Sequence, residues 1–147
     1  MHKAILPLII AFASFSSQSA DFEFSTGGGT QYGGFIGIQG GLKFEKSRYF
    51  AALGLFGVSA GAQFQMSNDG HHSLGVNGGT MYGIFGGDKD YIAMTYNYHF
   101  KGFHNSGWEI GTGVGYFKTE EHSIWFSSDV AEEEEKAHII FNIGYKF

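Results

Sequence analysis

The chain has 147 residues, with no Cys, one Pro and 24 Gly beside 16 Phe, 8 Tyr and 2 Trp. One domain fits this length, and the missing thiols exclude disulfide scaffolds, thiolate metal centres, cysteine catalysis and lipid attachment through a cysteine. A formal net charge of −5 argues against a nucleic-acid partner, and glycine this abundant argues against a helical bundle, at about 1 kcal/mol per helical Gly.

Residues 1–20 read as an address. Met1, His2 and Lys3 make a short positive start, Ala4 to Phe15 is uncharged and mostly apolar, and small or polar residues run from Ser14 to Ala20. The apolar run is too short for a bilayer helix, which needs ~20 residues. Its flanks suit a secretory signal peptide with a small-x-small cleavage site after residue 19 or 20. The remaining domain, 21–147, begins there.

Beyond residue 20 apolar residues alternate between turn-type clusters, the pattern of β-strands. Breaks at 27–29, 45–48, 67–72, 86–90, 102–106, 119–121 and 128–135 delimit eight strands, at about 21–27, 31–45, 49–66, 73–86, 90–102, 107–118, 121–128 and 136–147. The predicted fold class is therefore all-β, an eight-stranded antiparallel up-and-down transmembrane barrel. The acidic run Glu132 to Glu135 falls in a loop, where like charges are solvated.

Each strand has one large apolar face and one small or polar face. In the last strand Ile139, Phe141, Ile143, Tyr145 and Phe147 alternate with His138, Ile140, Asn142, Gly144 and Lys146. In the sixth, Trp108, Ile110, Thr112, Val114 and Tyr116 alternate with Glu109, Gly111, Gly113, Gly115 and Phe117. The stretch 56–66 places Phe56, Val58, Ala60, Ala62, Phe64 and Met66 against Gly57, Ser59, Gly61, Gln63 and Gln65. A soluble barrel would turn the large apolar face inward. A glycine-rich polar face suits the inside of a narrow barrel whose outer face meets lipid, and closure leaves no strand edge in hydrocarbon. With both mature termini in the periplasm, Phe22, Phe44, Phe50, Tyr82, Tyr116, Tyr145 and Phe147 are expected near the periplasmic rim. Tyr32, Phe64, Tyr98, Phe100 and Trp108 are expected near the extracellular rim. Loops 67–72 and 128–135 then lie outside the cell, and 45–48 and 86–90 inside.

The signal peptide, the alternating strands and the ending Ile139-Ile140-Phe141-Asn142-Ile143-Gly144-Tyr145-Lys146-Phe147 resemble the small outer-membrane β-barrel proteins of Gram-negative bacteria, of the OmpA/OmpX type. The resemblance covers the mature chain as architecture and carries over no functional residue. It implies location in the cell outer membrane, contact with outer-membrane lipids and lipopolysaccharide, and a barrel-assembly machinery that reads Phe141, Ile143, Tyr145 and Phe147. A monomer with a structural or surface-interaction role is expected, without cofactor, metal or catalytic residues.

Other chemistry is weaker. Gly111-Thr112-Gly113-Val114-Gly115 lacks the Lys-Ser/Thr ending of a phosphate loop, and the seven histidines show no metal spacing. His71-His72-Ser73 and His104-Asn105-Ser106 supply the base and nucleophile of an acyl hydrolase acting on lipid A, the alternative function. The acidic loop 129–135 offers carboxylates to Mg²⁺ or Ca²⁺. A narrow channel is a third option, although eight strands enclose room only for side chains. Glu23, Gln39, Lys43, Gln63, Asn77, Asn97, His99, Lys101, Glu109 and Lys146 are expected to fill that lumen. Lys101 should face Glu109 and His99 should face Gly111, while Glu23 approaches Lys146 across the seam with Lys43 nearby, because unpaired buried charges cost several kcal/mol.

Overall fold

The computed structural model describes residues 20–83, 87–120 and 135–147. Eight antiparallel strands close a barrel in chain order. They are β1 Asp21–Gly29, β2 Gly34–Lys43, β3 Ser47–Gly54, β4 Gly57–Gln65, β5 His72–Met81, β6 Asp88–His99, β7 Gly107–Glu120 and β8 Glu135–Lys146. A 3-10 turn, Thr30–Tyr32, joins β1 to β2. The signal peptide expected over 1–20 lies almost wholly outside the described residues, as do loop 129–134 and the strand expected at 121–128.

The barrel closes without a strand at 121–128, since β7 pairs directly with β8 from Gly107 opposite Lys146 to Lys118 opposite Glu135. The eighth strand comes instead from the stretch read as one strand over 49–66. That stretch breaks at Leu55-Phe56 into β3 and β4, with Gly54 opposite Gly57. The turn escapes a search for polar breaks because its central residues are apolar and Leu55 is exposed. Gly54 and Gly57 are its sequence trace, and both lie tight against Gly33, where a Cβ on Gly54 would come within 2.1 Å of the Gly33 carbonyl oxygen.

This division reverses several connections. The end bearing residues 20 and 147 (the near end) also holds connections 44–46, 66–71 and 100–106. The far end holds the 3-10 turn, the 55–56 turn and the facing ends of β5 and β6 and of β7 and β8. Connection 67–72, expected opposite the termini, therefore shares their end, and 86–90 lies at the other. At the near end Asp69 shapes its turn, accepting hydrogen bonds from the Ser67 hydroxyl and the His71 N–H, which hold its carboxyl below the usual range.

The stagger of the strands follows from their register. Hydrogen-bonded partners lead from Ser25 through Gln39, Ala52, Ser59, Gly79, Tyr91 and Phe117 to Lys136. Across the seam, however, Ser25 faces Lys146, ten residues further along β8. So large a shear tilts strands by roughly 35–45° and leaves a lumen filled by side chains.

Large apolar side chains point outward, with Phe35 83%, Phe141 74%, Ile139 73% and Phe22 71% exposed. The expected aromatic rims need correction. Tyr32, Phe44 and Phe50 are buried, and Trp108 stacks edge-on against Tyr145 at the near end, where Phe100 also meets Tyr98 and Tyr145 meets Phe147. Inside, the far half of the lumen is apolar, with Met81 and Phe117 around Tyr91, Ala93 and Ile140. The near half is polar.

Candidate functional site

The near half of the lumen holds a charged cluster fed by every strand. Arg48 of β3, the one arginine in the chain, is fully buried at its centre. Its Nε lies 2.8 Å from Glu23 Oε1 of β1, an ion pair rather than an aligned hydrogen bond, and its Nη1 lies 3.5 Å from Glu109 Oε2 of β7. Nη1 also donates to Gln63 Oε1 at 3.2 Å, and Nη2 donates to Ser25 Oγ at 3.0 Å and to Gln39 Oε1. Lys43 Nζ reaches Glu23 Oε2 at 3.1 Å. Two carboxylates thus share one planar five-donor cation that matches their geometry.

The 3-10 turn plugs this cluster from above. The Gln31 N–H donates to Asn142 Oδ1 at 3.1 Å, and the Gln31 carbonyl accepts from Gln39 Nε2 at 2.8 Å and Ser59 Oγ at 3.0 Å. Gln31 Nε2 donates to Glu109 Oε1 at 3.0 Å, and the Tyr32 hydroxyl donates to the same oxygen. The ring of Tyr32 occupies a hollow left by missing side chains. A Cβ on Gly144 would lie 1.9 Å from its hydroxyl, and one on Gly27 would lie 2.8 Å from its Cε2. Gly33, at φ +74°, lets the chain leave the turn toward β2.

Connection 100–106 caps the near mouth. Phe103 is buried, packs edge-on against the His99 ring, and donates its N–H to the Gly70 carbonyl at 2.6 Å. Lys146 Nζ donates to the carbonyls of Gly102 at 3.2 Å and Phe103 at 2.9 Å, while Lys43 Nζ donates to that of His104 at 2.8 Å. Two ammonium groups rooted in the wall therefore hold the cap by its backbone.

Beneath the cap Ser73, His99 and Glu109 line up as in a hydrolase relay. Ser73 Oγ is 2.8 Å from His99 Nε2, and His99 Nδ1 is 3.3 Å from Glu109 Oε2. Nucleophilic catalysis requires Nε2 to accept the serine proton and Nδ1 to carry its hydrogen toward the acid. Here Lys146 Nζ lies 3.2 Å from the same Nδ1. Nδ1 thus has two neighbours of opposite character: carrying its hydrogen it donates to Glu109 Oε2 and leaves Nε2 to accept from Ser73, and without it Nδ1 accepts from Lys146 and Nε2 donates to Ser73. Only the first of these tautomers leaves the base free for the serine. Ser73 and His99 are also fully buried, and Glu109 is engaged by Arg48, Tyr32 and Gln31.

Most residues expected in the lumen are there: Glu23, Gln39, Gln63, Asn77, Asn97, His99, Glu109 and Lys146 are buried, and Lys43 is half-buried. Lys101 is not. It is exposed in the connection beyond β6, and the register sets His99, not Lys101, opposite Glu109. Connection 100–106 is wide because it folds over the mouth, which draws Lys101 out of the ladder. Nor do Glu23 and Lys146 pair: Lys146 faces Ser25 and turns to the cap, while Glu23 serves Lys43 and Arg48. Phe141, Ile143 and Phe147 are exposed on the outer face, with Tyr145 half-buried beside Trp108. Arg48, Gln31 and Tyr32 were not anticipated in the lumen. Among the described residues no group of three metal-ligating side chains forms, and the Ser106 and His104 of the alternative hydrolase reading are exposed. No family model, curated protein or solved structure matches the chain.

Proposed function

We propose that this chain is a small β-barrel of the Gram-negative outer membrane, exported by a signal peptide over residues 1–20, with both mature termini periplasmic. Its role is structural or surface-interacting, without catalysis, and its lumen is plugged. One observation carries the reading: a closed barrel turns its large apolar side chains outward and its charges inward. In water that arrangement forfeits about 1.5–3 kcal/mol for each large side chain left exposed. In a bilayer the same side chains are solvated by lipid, and the closed ladder satisfies the backbone.

The partners that follow are outer-membrane lipids, lipopolysaccharide among them, and the assembly machinery that would read Phe141, Ile143, Tyr145 and Phe147 at the end of β8. A monomer needs no further partner, since the barrel closes on itself. The plug and cap speak against a channel, and the full burial of Ser73 and His99 beneath the cap speaks against a lipid A acyl hydrolase. Fractionation of expressing cells tests the reading: the chain is expected in the outer membrane, migrating faster in gels before heating than after. Recovery as a soluble periplasmic protein would overturn it.

A further inference from the structure

The seam between β1 and β8 is incomplete. Strand β8 pairs with β7 along its whole length, from Lys146 to Glu135. With β1 it pairs only from Lys146 to Ile143, opposite Ser25 to Gly28, because the chain then turns inward at Thr30. Above Ile143 the β1-facing edge of β8 has no strand partner among the described residues. A cavity of about 490 Å³ opens there, within the ~300–1,000 Å³ range of small-molecule sites. Phe35, Phe141 and Ile143 line it from the outer face, and Met81 and Ile140 line it from the lumen. It is an open crevice in the barrel wall, lined from both faces.

We propose that this crevice binds one acyl chain of a bilayer lipid, which passes between β1 and β8 into the apolar far half of the lumen. The inference rests on the outer-membrane reading above. Three observations favour this occupant. The crevice is continuous with the exposed apolar outer face, so a lipid chain reaches it without crossing water. The lumen behind it, at Met81, Tyr91, Phe117 and Ile140, is apolar, whereas the near half is charged. Finally, Asn142 lines the crevice with its Nδ2 buried and without a partner, its Oδ1 being used by Thr30 and Gln31. A buried amide donor costs about 1–3 kcal/mol if left unpaired, and the ester carbonyl of a lipid is the acceptor a bilayer supplies. The same ester region suits the open edge of β8, whose backbone groups pure hydrocarbon would leave unsatisfied.

Three methionines lie among the described residues, and two of them separate the questions. Met94 points outward from β6 and is 66% exposed, while Met81 lines the crevice. The test uses the chain with ¹³C-methyl methionine, refolded into dimyristoyl phosphatidylcholine nanodiscs, and reads nuclear Overhauser contacts from acyl methylenes to each methyl group. Contacts are expected at both Met94 and Met81, and Ile140→Trp, which fills the crevice from within, should abolish those of Met81 alone. Contacts at Met94 without any at Met81 in the unsubstituted chain would overturn the proposal while leaving the membrane reading intact. Water contacts at Met81, or contacts to a second copy of the chain, would overturn it too. Absence of contacts at Met94 would overturn the membrane reading itself.

Discussion

The Lys146 ammonium lies 3.2 Å from His99 Nδ1 and also grips the backbone carbonyls of Gly102 and Phe103. One cation therefore touches a buried imidazole and holds down the loop that seals it. Beneath that loop Ser73 Oγ lies 2.8 Å from His99 Nε2, a hydrogen bond that a structural serine and a nucleophilic one would share.

Replacing the serine separates these roles. Ser73→Ala is expected to lose the stability of one hydrogen bond, about 0.5–1.5 kcal/mol, and to leave ester hydrolysis and lipid A acylation unchanged. Urea unfolding in vesicles reads the first quantity, and mass spectrometry of extracted lipid A from cells with and without the variant reads the second. A Ser73-dependent loss of an acyl chain from lipid A would restore the hydrolase.

Arg48 is the residue on which the charged cluster depends. Arg48→Leu leaves Glu23 with Lys43 alone and strips Glu109 of its nearest permanent cation. Breaking a buried pair from one side costs roughly 3–5 kcal/mol, and a loss of that size is expected in the unfolding free energy. Adding Glu109→Gln to the same chain removes one orphaned charge and should recover part of the loss. A double variant as unstable as the sum of the two single ones would show that Arg48 and Glu109 do not act together.

The hollow around Tyr32 makes a complementary test without charge. Gly144→Ala would place a methyl carbon 1.9 Å from the Tyr32 hydroxyl and 2.3 Å from its Cζ. The neighbouring strands are held by the ladder, so the ring must yield, at the ~1–3 kcal/mol typical of overpacking. Tyr32→Leu in the same chain should make Gly144→Ala nearly neutral, because the atoms it would strike are gone. Equal destabilisation with Tyr32 and Leu at that position would place the strain in the strand rather than in the plug.

The alternation of side chains makes the inner and outer faces of β1, β2, β4, β5, β6, β7 and β8 legible in the sequence, and with them most of the lumen. The missed turn at Leu55-Phe56 explains the main errors. A two-residue turn changes which parity points inward: Ser59 and Gln63 face the lumen from β4, but Arg48, Phe50 and Ala52 face it from β3. Reading 49–66 as one strand sends Phe50 outward and leaves Arg48 in a turn. The plug is illegible for a different reason. Gln31 and Tyr32 lie in no strand, so period two says nothing about them, and their trace is a set of small residues, Gly27 and Gly144 against the Tyr32 ring and Gly37 against its backbone carbonyl.

The same turn decides which connections face the cell exterior. If both termini are periplasmic, as proposed, connection 66–71 is expected on the periplasmic side, because β3 and β4 add one more crossing than a single strand over 49–66 allows. On the same proposed orientation Lys89, exposed near the start of β6, is expected on the outer side. The chain has no cysteine, so one introduced thiol is a unique label. In intact cells Lys89→Cys is expected to react with a membrane-impermeant maleimide, whereas Asn68→Cys should react only after the outer membrane is opened. Both positions are exposed and polar, so neither substitution disturbs the ladder or the lumen. The reverse pattern would put the termini outside the cell. Labelling of both in intact cells would mean that connection 66–71 and the far end share one side, which the closed eight-stranded order of β1 to β8 does not permit.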